Sequence, residues 1–176
     1  SDLSANYFHP WYGSEEFISR QPRYCLWLGD CTPAELAKMP LCVKRVEAVK
    51  AYRKECGYDE STDLYKKPRR FHVEFRPKSE YIIIPSTSSK NREYVPMGFM
   101  HPDNMASNAV MVIADASLYT FGVLESRIHM AWMRIVCGRL KEDYRYTKGI
   151  VYNNFPWPDV TDEQKATIEA RSEERR

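Results

Sequence analysis

Tyr81-Ile-Ile-Ile-Pro-Ser-Thr-Ser-Ser-Lys-Asn-Arg-Glu-Tyr-Val-Pro-Met-Gly-Phe99 is the stretch that decides the fold. Tyr81–Ile84 is a short apolar run bounded by turn residues, the mark of a buried strand. Tyr94–Phe99 reads as a second strand, at an edge because Pro96 has no N–H to give a ladder. Between them lies Ser86–Arg92, a loop of hydroxyls, one amide and two cations. Outward from this core, Phe71–Phe75 alternates apolar and polar residues and predicts a half-buried strand. Val110–Ile113 predicts another, and Tyr24–Leu28 a buried one ended by Gly29-Asp30.

Helices are expected around these strands. Thr32, Pro33 and Glu35 supply an N-cap, a first-turn proline and a dipole-compensating acid, and Pro40 ends that helix. Val43, Val46, Val49 and Tyr52 then recur at helical spacing, with Gly57 as the stop. Ser117 and Ser126 look like N-caps. After Ser126, the residues Ile128, Ala131, Trp132, Ile135 and Val136 form a stripe expected to face the core, and Gly138 closes the helix. Thr161 with Gln164 is a capping box that opens a last helix. The predicted class is α+β: a small, mostly antiparallel sheet packed with several helices.

The chain has 176 residues, 43 % apolar and 28 % charged, as for a folded globular domain. No apolar run approaches the roughly 18 residues of a membrane span, and no signal-peptide layout opens the chain. Residues 1–23 are expected to be a connector from a preceding domain, 24–158 the main domain and 159–176 a C-terminal helix, within a piece of a longer cytoplasmic protein. The five cysteines show no C-x-x-C pair and the four histidines no H-x-x-x-H spacing. Reduced thiols and no metal are expected.

Much catalytic chemistry has no counterpart here. The seven glycines never form a G-x-G or Walker arrangement, so no phosphate cradle is expected. Pro158-Asp159 with Glu163-Gln-Lys165 imitates a nuclease signature, but all three side chains fall at one helix start and read as N-terminal helix residues. His129 and Trp132 read as structural, with no nucleophile or carboxylate at a recognisable spacing. No catalytic residue is assigned.

Charge points elsewhere. Lys66, Lys67, Arg69, Arg70, Arg76, Lys78, Lys90 and Arg92 face only Glu74 and Glu80 within Lys66–Arg92, while the whole chain carries +2. Such a local excess suits either a polyanion-facing patch or a solvated face. Ser, Thr and Lys contact phosphate, whereas Asn and Arg make bidentate contacts to base edges.

Four motifs in order resemble one family: Arg23–Leu28 (RYCLWL), Ser126–Arg134 (SRIHMAWMR), Cys137–Tyr146 (CGRLKEDYRY) and Tyr152–Pro158 (YNNFPWP). The chain resembles the target-recognition domain of MmeI-like (type IIG/IIL) restriction-modification DNA methyltransferases. That resemblance implies a parent polypeptide joining a nuclease, an adenine-N6 methyltransferase and this DNA-reading domain. S-adenosylmethionine would then belong to the parent's methyltransferase domain, with no cofactor in this segment. The Asn/Asp-Pro-Pro-Tyr motif, the adenosylmethionine loop and a nuclease site are all missing from this sequence, so the resemblance assigns recognition, not chemistry.

The expected partner is therefore double-stranded DNA, held for an adenine to be flipped into a neighbouring active site. Phosphate contacts are expected from Lys66, Lys67, Arg69, Arg70, Arg139, Lys141 and Lys148. Base readers are expected among Ser88, Ser89, Lys90, Asn91 and Arg92, and at Glu125 with Arg127, where an Arg suits guanine and a Glu cytosine. The same Glu125–Arg127 pair equally suits dipole compensation beside a solvated cation. Tyr144 and Tyr146 suit packing or DNA contact alike. The competing reading is a protein-interaction module that docks on a methyltransferase without reading bases.

Overall fold

The continuous apolar run Tyr81–Ile84 has no polar alternation because both of its faces are covered. Strand β3 (Tyr81–Pro85) is buried along its whole length. Ile82 and Ile84 point into one cluster with Phe121, Leu124, Met130 and Tyr146. Tyr81 and Ile83, on the opposite side of the pleat, pack with Val110, Tyr12 and Phe17. β3 is central, antiparallel to β5 (Gly98–Met100) on one side and to β7 (Val110–Ala114) on the other.

The computed structural model describes residues 3–56, 63–72, 74 and 76–174. Its elements fall into two compact units, Ser1–Pro10 with Tyr24–Phe75, and Trp11–Arg23 with Arg76–Arg176. The predicted stop Gly57, the strand residues Val73 and Phe75, and Arg175-Arg176 lie outside the described residues.

The first unit carries β2 (Arg23–Leu26, from Tyr24 on), α2 (Pro33–Ala37) and α3 (Pro40–Glu55). Thr32 Oγ1 accepts the Glu35 N–H, so the N-cap holds as read, and Glu35 returns a bond to the Thr32 N–H, which closes a capping box. Pro40 opens α3 as well as following α2. Leu28, Cys31, Met39 and Cys42 form the unit's core, with Val46 at its edge. Val49 and Tyr52, expected inside, are exposed. Phe71, His72 and Glu74 form no strand: the Glu74 carboxylate accepts the Phe71 N–H at 3.1 Å, a local bond that competes with any ladder.

The second unit is built from Trp11–Arg23 and Arg76 onward. The stretch 11–23, expected as a connector, folds here: β1 (Phe8–Tyr12) pairs in parallel with β6 (Met105–Ala106) through Trp11 and Tyr12, and α1 (Ser14–Ser19) follows. Among the described residues the sheet content is thus three small sheets, one with this parallel pair, instead of a single small sheet. Tyr94–Met97 forms no strand, because Pro96 lacks a donor and the Val95 N–H turns toward the Met130 sulfur at 3.5 Å. Ser117 and Ser126 cap α4 (Leu118–Leu124) and α5 (Arg127–Val136) with their hydroxyls. A third sheet that the sequence did not announce has β9 (Asp143–Arg145) between β4 (Thr87–Ser88) and β8 (Gly138–Leu140). Thr161 and Gln164 form the expected capping box of α6 (Asp162–Glu173), which packs on α4.

The stripe predicted for α5 points the other way. His129, Met130 and Met133 are buried, while Ile128 and Ile135 are 75 % and 83 % exposed and Ala131 is exposed too. Only Trp132 and Val136 of the predicted five pack against the core. The helix is apolar on both sides, so periodicity alone did not choose which side the core would take.

Candidate nucleic-acid interface

The hydroxyl-rich loop is anchored by its own chemistry. Ser89 accepts the Asn91 N–H on its side chain at 3.3 Å and the Arg92 N–H on its carbonyl at 3.1 Å, which makes a tight turn. Lys90 fixes that turn to the β8–β9 hairpin: its N–H reaches Asp143 Oδ1 at 3.2 Å and its Nζ reaches Glu142 Oε2 at 2.6 Å. Lys141 sits at the hairpin tip with φ 56°, a left-handed conformation uncommon without glycine. The fold thereby gathers Ser89–Arg92, Arg139 and Lys141, three separate sequence candidates, around one small sheet.

Strand alternation sorts the rest. Register pairs Ser88 with Tyr144 and Arg139 with Tyr144, on the face that carries the buried Tyr144 ring. Ser88 is 2 % exposed and its hydroxyl has no partner among the described residues, so the expectation that it faces a base is corrected: it lines the core. The Arg139 guanidinium lies 4.1 Å from the Tyr144 ring centroid. Arg145, which sequence reasoning missed, is exposed on the opposite face beside Thr87 and Gly138. Asn91, Arg92, Lys141 and Lys148 are exposed as well. Tyr146 is interior, with its hydroxyl on His129 Nε2 at 2.9 Å.

Glu125 and Arg127 stand at the α4–α5 junction. Glu125 ends α4 and is half-buried, and Arg127 is the exposed first residue of α5. The Tyr94 hydroxyl and then the Glu93 carboxylate beside Arg127 raise the pKa of its guanidinium above the usual value. Arg134 donates to the Glu93 carbonyl. Glu93-Tyr94 is therefore the neighbour that Arg127 shares with Arg92, one residue earlier in the chain. Tyr94, Gly122, Glu125, Arg127, Ile168 and Arg171 line an open groove of about 420 Å³.

In the other unit the basic segment is less free than its composition suggests. Lys66 pairs with Asp63 at 2.9 Å, and Arg70 with Glu74 at 2.9 Å. Arg69 Nη1 donates to the Cys31 carbonyl at 2.7 Å. Lys67 is exposed. Arg53, absent from the sequence candidates, donates to three backbone carbonyls, those of Leu64, Lys67 and Arg70, at 3.2, 3.0 and 2.8 Å. It shapes the basic segment from behind. Nothing in the sequence singled it out from the other cations of α3.

Three of the four motifs that carry the family resemblance, Ser126–Arg134, Cys137–Tyr146 and Tyr152–Pro158, pack together. Trp132 donates its indole N–H to the Val151 carbonyl at 3.0 Å, and Phe155 sits edge-on to His129 at 4.6 Å. Trp157 meets Phe155 and Tyr152 in further edge contacts. Burial pushes the His129 imidazole down to about 4, so it is neutral at pH 7, consistent with a structural role. Among the described residues no three His, Cys, Asp or Glu side chains are placed to hold a metal, and no helix is long and apolar enough to cross a membrane.

Comparison with known proteins gives this arrangement a family. The MmeI target recognition domain model matches residues 1–159. The chain belongs to that family. It is 40 % identical over 163 residues to DNA methyltransferase A of Bacillus subtilis (strain 168), covering 93 % of this chain and 18 % of that protein. It also superposes with a TM-score of 0.90, at 36 % identity, on the type IIL restriction-modification enzyme MmeI solved in complex with DNA. That match covers 97 % of this chain and 23 % of the enzyme. The chain thus spans about a fifth of the length of these relatives, and the match takes in residues 1–23 as well.

Proposed function

We propose that this chain reads a specific sequence in double-stranded DNA and positions it for an adenine-N6 methyltransferase domain of the same polypeptide. In this reading S-adenosylmethionine binds in that other domain, the present segment carries out no reaction of its own, and the protein works in the cytoplasm. The observation that supports it best is the juxtaposition of the Ser89–Arg92 turn with the Arg139–Lys141 hairpin, in a chain that matches a DNA-bound relative over nearly all its length.

The roles divide by chemistry. Lys67, Lys141, Arg145 and Lys148, exposed cations, suit phosphate, which positions the duplex without reading it. Asn91, Arg92, Glu125 and Arg127 combine donors and acceptors that match base edges. Lys66, Arg69 and Arg70 contribute mainly by shaping their segment, given their internal partners.

The test is the salt dependence of duplex binding by the purified chain. With about five neutralised phosphates, log affinity falls against log salt with a slope near −4.5. Replacing Lys67, Lys141, Arg145 and Lys148 by Ala flattens that slope by three or more, while thermal unfolding is unchanged. Equal slopes in the two proteins would sink the phosphate assignment.

A further inference from the structure

α5 is more apolar than one packed side requires. At about 100° per residue, Ala131, Ile135 and Ile128 fall within about 60° of one another on the outward side. The buried His129, Met130 and Met133 occupy the inward side, with Trp132 and Val136 between. Arg127 and Arg134, about 20° apart, form the helix's charged edge. A helix apolar almost all round is a helix built to be buried. This domain covers only half of it.

We infer that the outward face of α5, Ile128 with Ala131 and Ile135, docks against an apolar surface of the polypeptide outside this domain, the methyltransferase-bearing portion of the same chain. The inference rests on the proposed function to the extent that it takes this domain to be joined to such a portion. The relatives place about four-fifths of their length outside the matching region, so covalently attached protein is abundant. The size of the face argues for the same occupant. From Ile128 to Ile135 the stripe runs about 10 Å along the axis. A free dimer needs about 800 Å² from each partner, which so short a stripe does not supply alone. A tethered domain meets it at an effective concentration in the millimolar range, and a modest interface then suffices. Duplex DNA is a poor occupant, because two isoleucines offer no donor to phosphate or base edge.

The test places a reporter on the face. In a Cys56→Ser background, which removes the exposed native thiol, Ile135→Cys is labelled with a maleimide and the modified peptide followed by mass spectrometry. Ile128→Cys is a second reporter, in case either variant perturbs the helix. In the 176-residue chain the label should enter within a few-fold of the rate in the urea-unfolded chain. In the full-length parent it should enter at least ten-fold more slowly, with or without DNA. Equal rates in chain and parent would overturn the inference. So would slowing that appears only when duplex is added, which would assign the face to DNA. Slow labelling of the isolated chain together with a dimeric mass in ultracentrifugation would assign it to a second copy and also overturn it. The salt slope of DNA binding is measured separately, so a lost slope with retained protection would fault the DNA reading and leave the docking face standing.

Discussion

At His129 burial decides the charge of one side chain. Its ring is fully buried, bonded through Nε2 to the Tyr146 hydroxyl and packed on Phe155, while Nδ1 has no partner among the described residues. A charged imidazole there would lose its hydration with nothing to replace it, so the folded chain resists protonation down to about 4. The unfolded chain takes up that proton near 6.5. Stability from this site is therefore complete above pH 6.5 and is lost progressively as pH falls toward 4, by an amount of order 2–3 kcal/mol. Urea midpoints between pH 7.5 and 4.5 should fall accordingly. In His129→Gln, itself less stable at neutral pH, the fall over the same range should shrink by half or more. An undiminished fall would place the acid sensitivity at other groups. The sequence already marked His129 as structural, since it has no catalytic neighbour at a readable spacing. It was silent about Arg53, whose three carbonyl partners come from residues 11 to 17 positions onward, in a loop with no periodic signature.

Elements were legible in proportion to how local their signals are. The caps at Thr32, Ser117 and Ser126, and the capping box at Thr161, are written within four residues, and all four hold. β3 was legible because four apolar residues in a row have few alternatives. The β8–β9 hairpin was not: its strands are three residues each, and Lys141 takes the left-handed position with no glycine or asparagine to announce it. The inward face of α5 was misread because both sides are apolar. The contact of α6 with α4 is equally non-local. A Cβ at Gly122 would collide with Ser172 Oγ and lie 2.8 Å from Ile168 Cγ2. Helix propensity favours a larger residue there by up to about 1 kcal/mol, but overpacking costs about 1–3 kcal/mol. Gly122→Val should therefore lower the unfolding midpoint and reduce hydrogen-exchange protection in α6 while β3 keeps its own. Unaltered protection along α6 would mean that this contact does not hold the helix.

At the scale of the whole molecule, charge and its placement separate. The excess of cations in Lys66–Arg92 was legible, but Asp63 and Glu74 neutralise part of it locally and Arg69 is turned inward. Exposed Arg145 lies outside that segment, and only strand register reveals which side of β9 it takes. Sequence-specific reading by Arg92 and the Glu125–Arg127 pair is the centre of the account. A bidentate Arg–guanine contact carries about 1–3 kcal/mol of discrimination, whereas a phosphate contact weakens all sequences alike. The most direct measurement is single-molecule sequencing of methylated adenines in cells that express the full-length parent with Arg92→Ala, with Glu125→Lys and Arg127→Asp together, or with Lys67→Ala. The first two should each change one position of the methylated sequence, and Lys67→Ala should lower methylation of the original sequence without relaxing it. An unaltered methylated sequence in both of the first two variants would contradict the account.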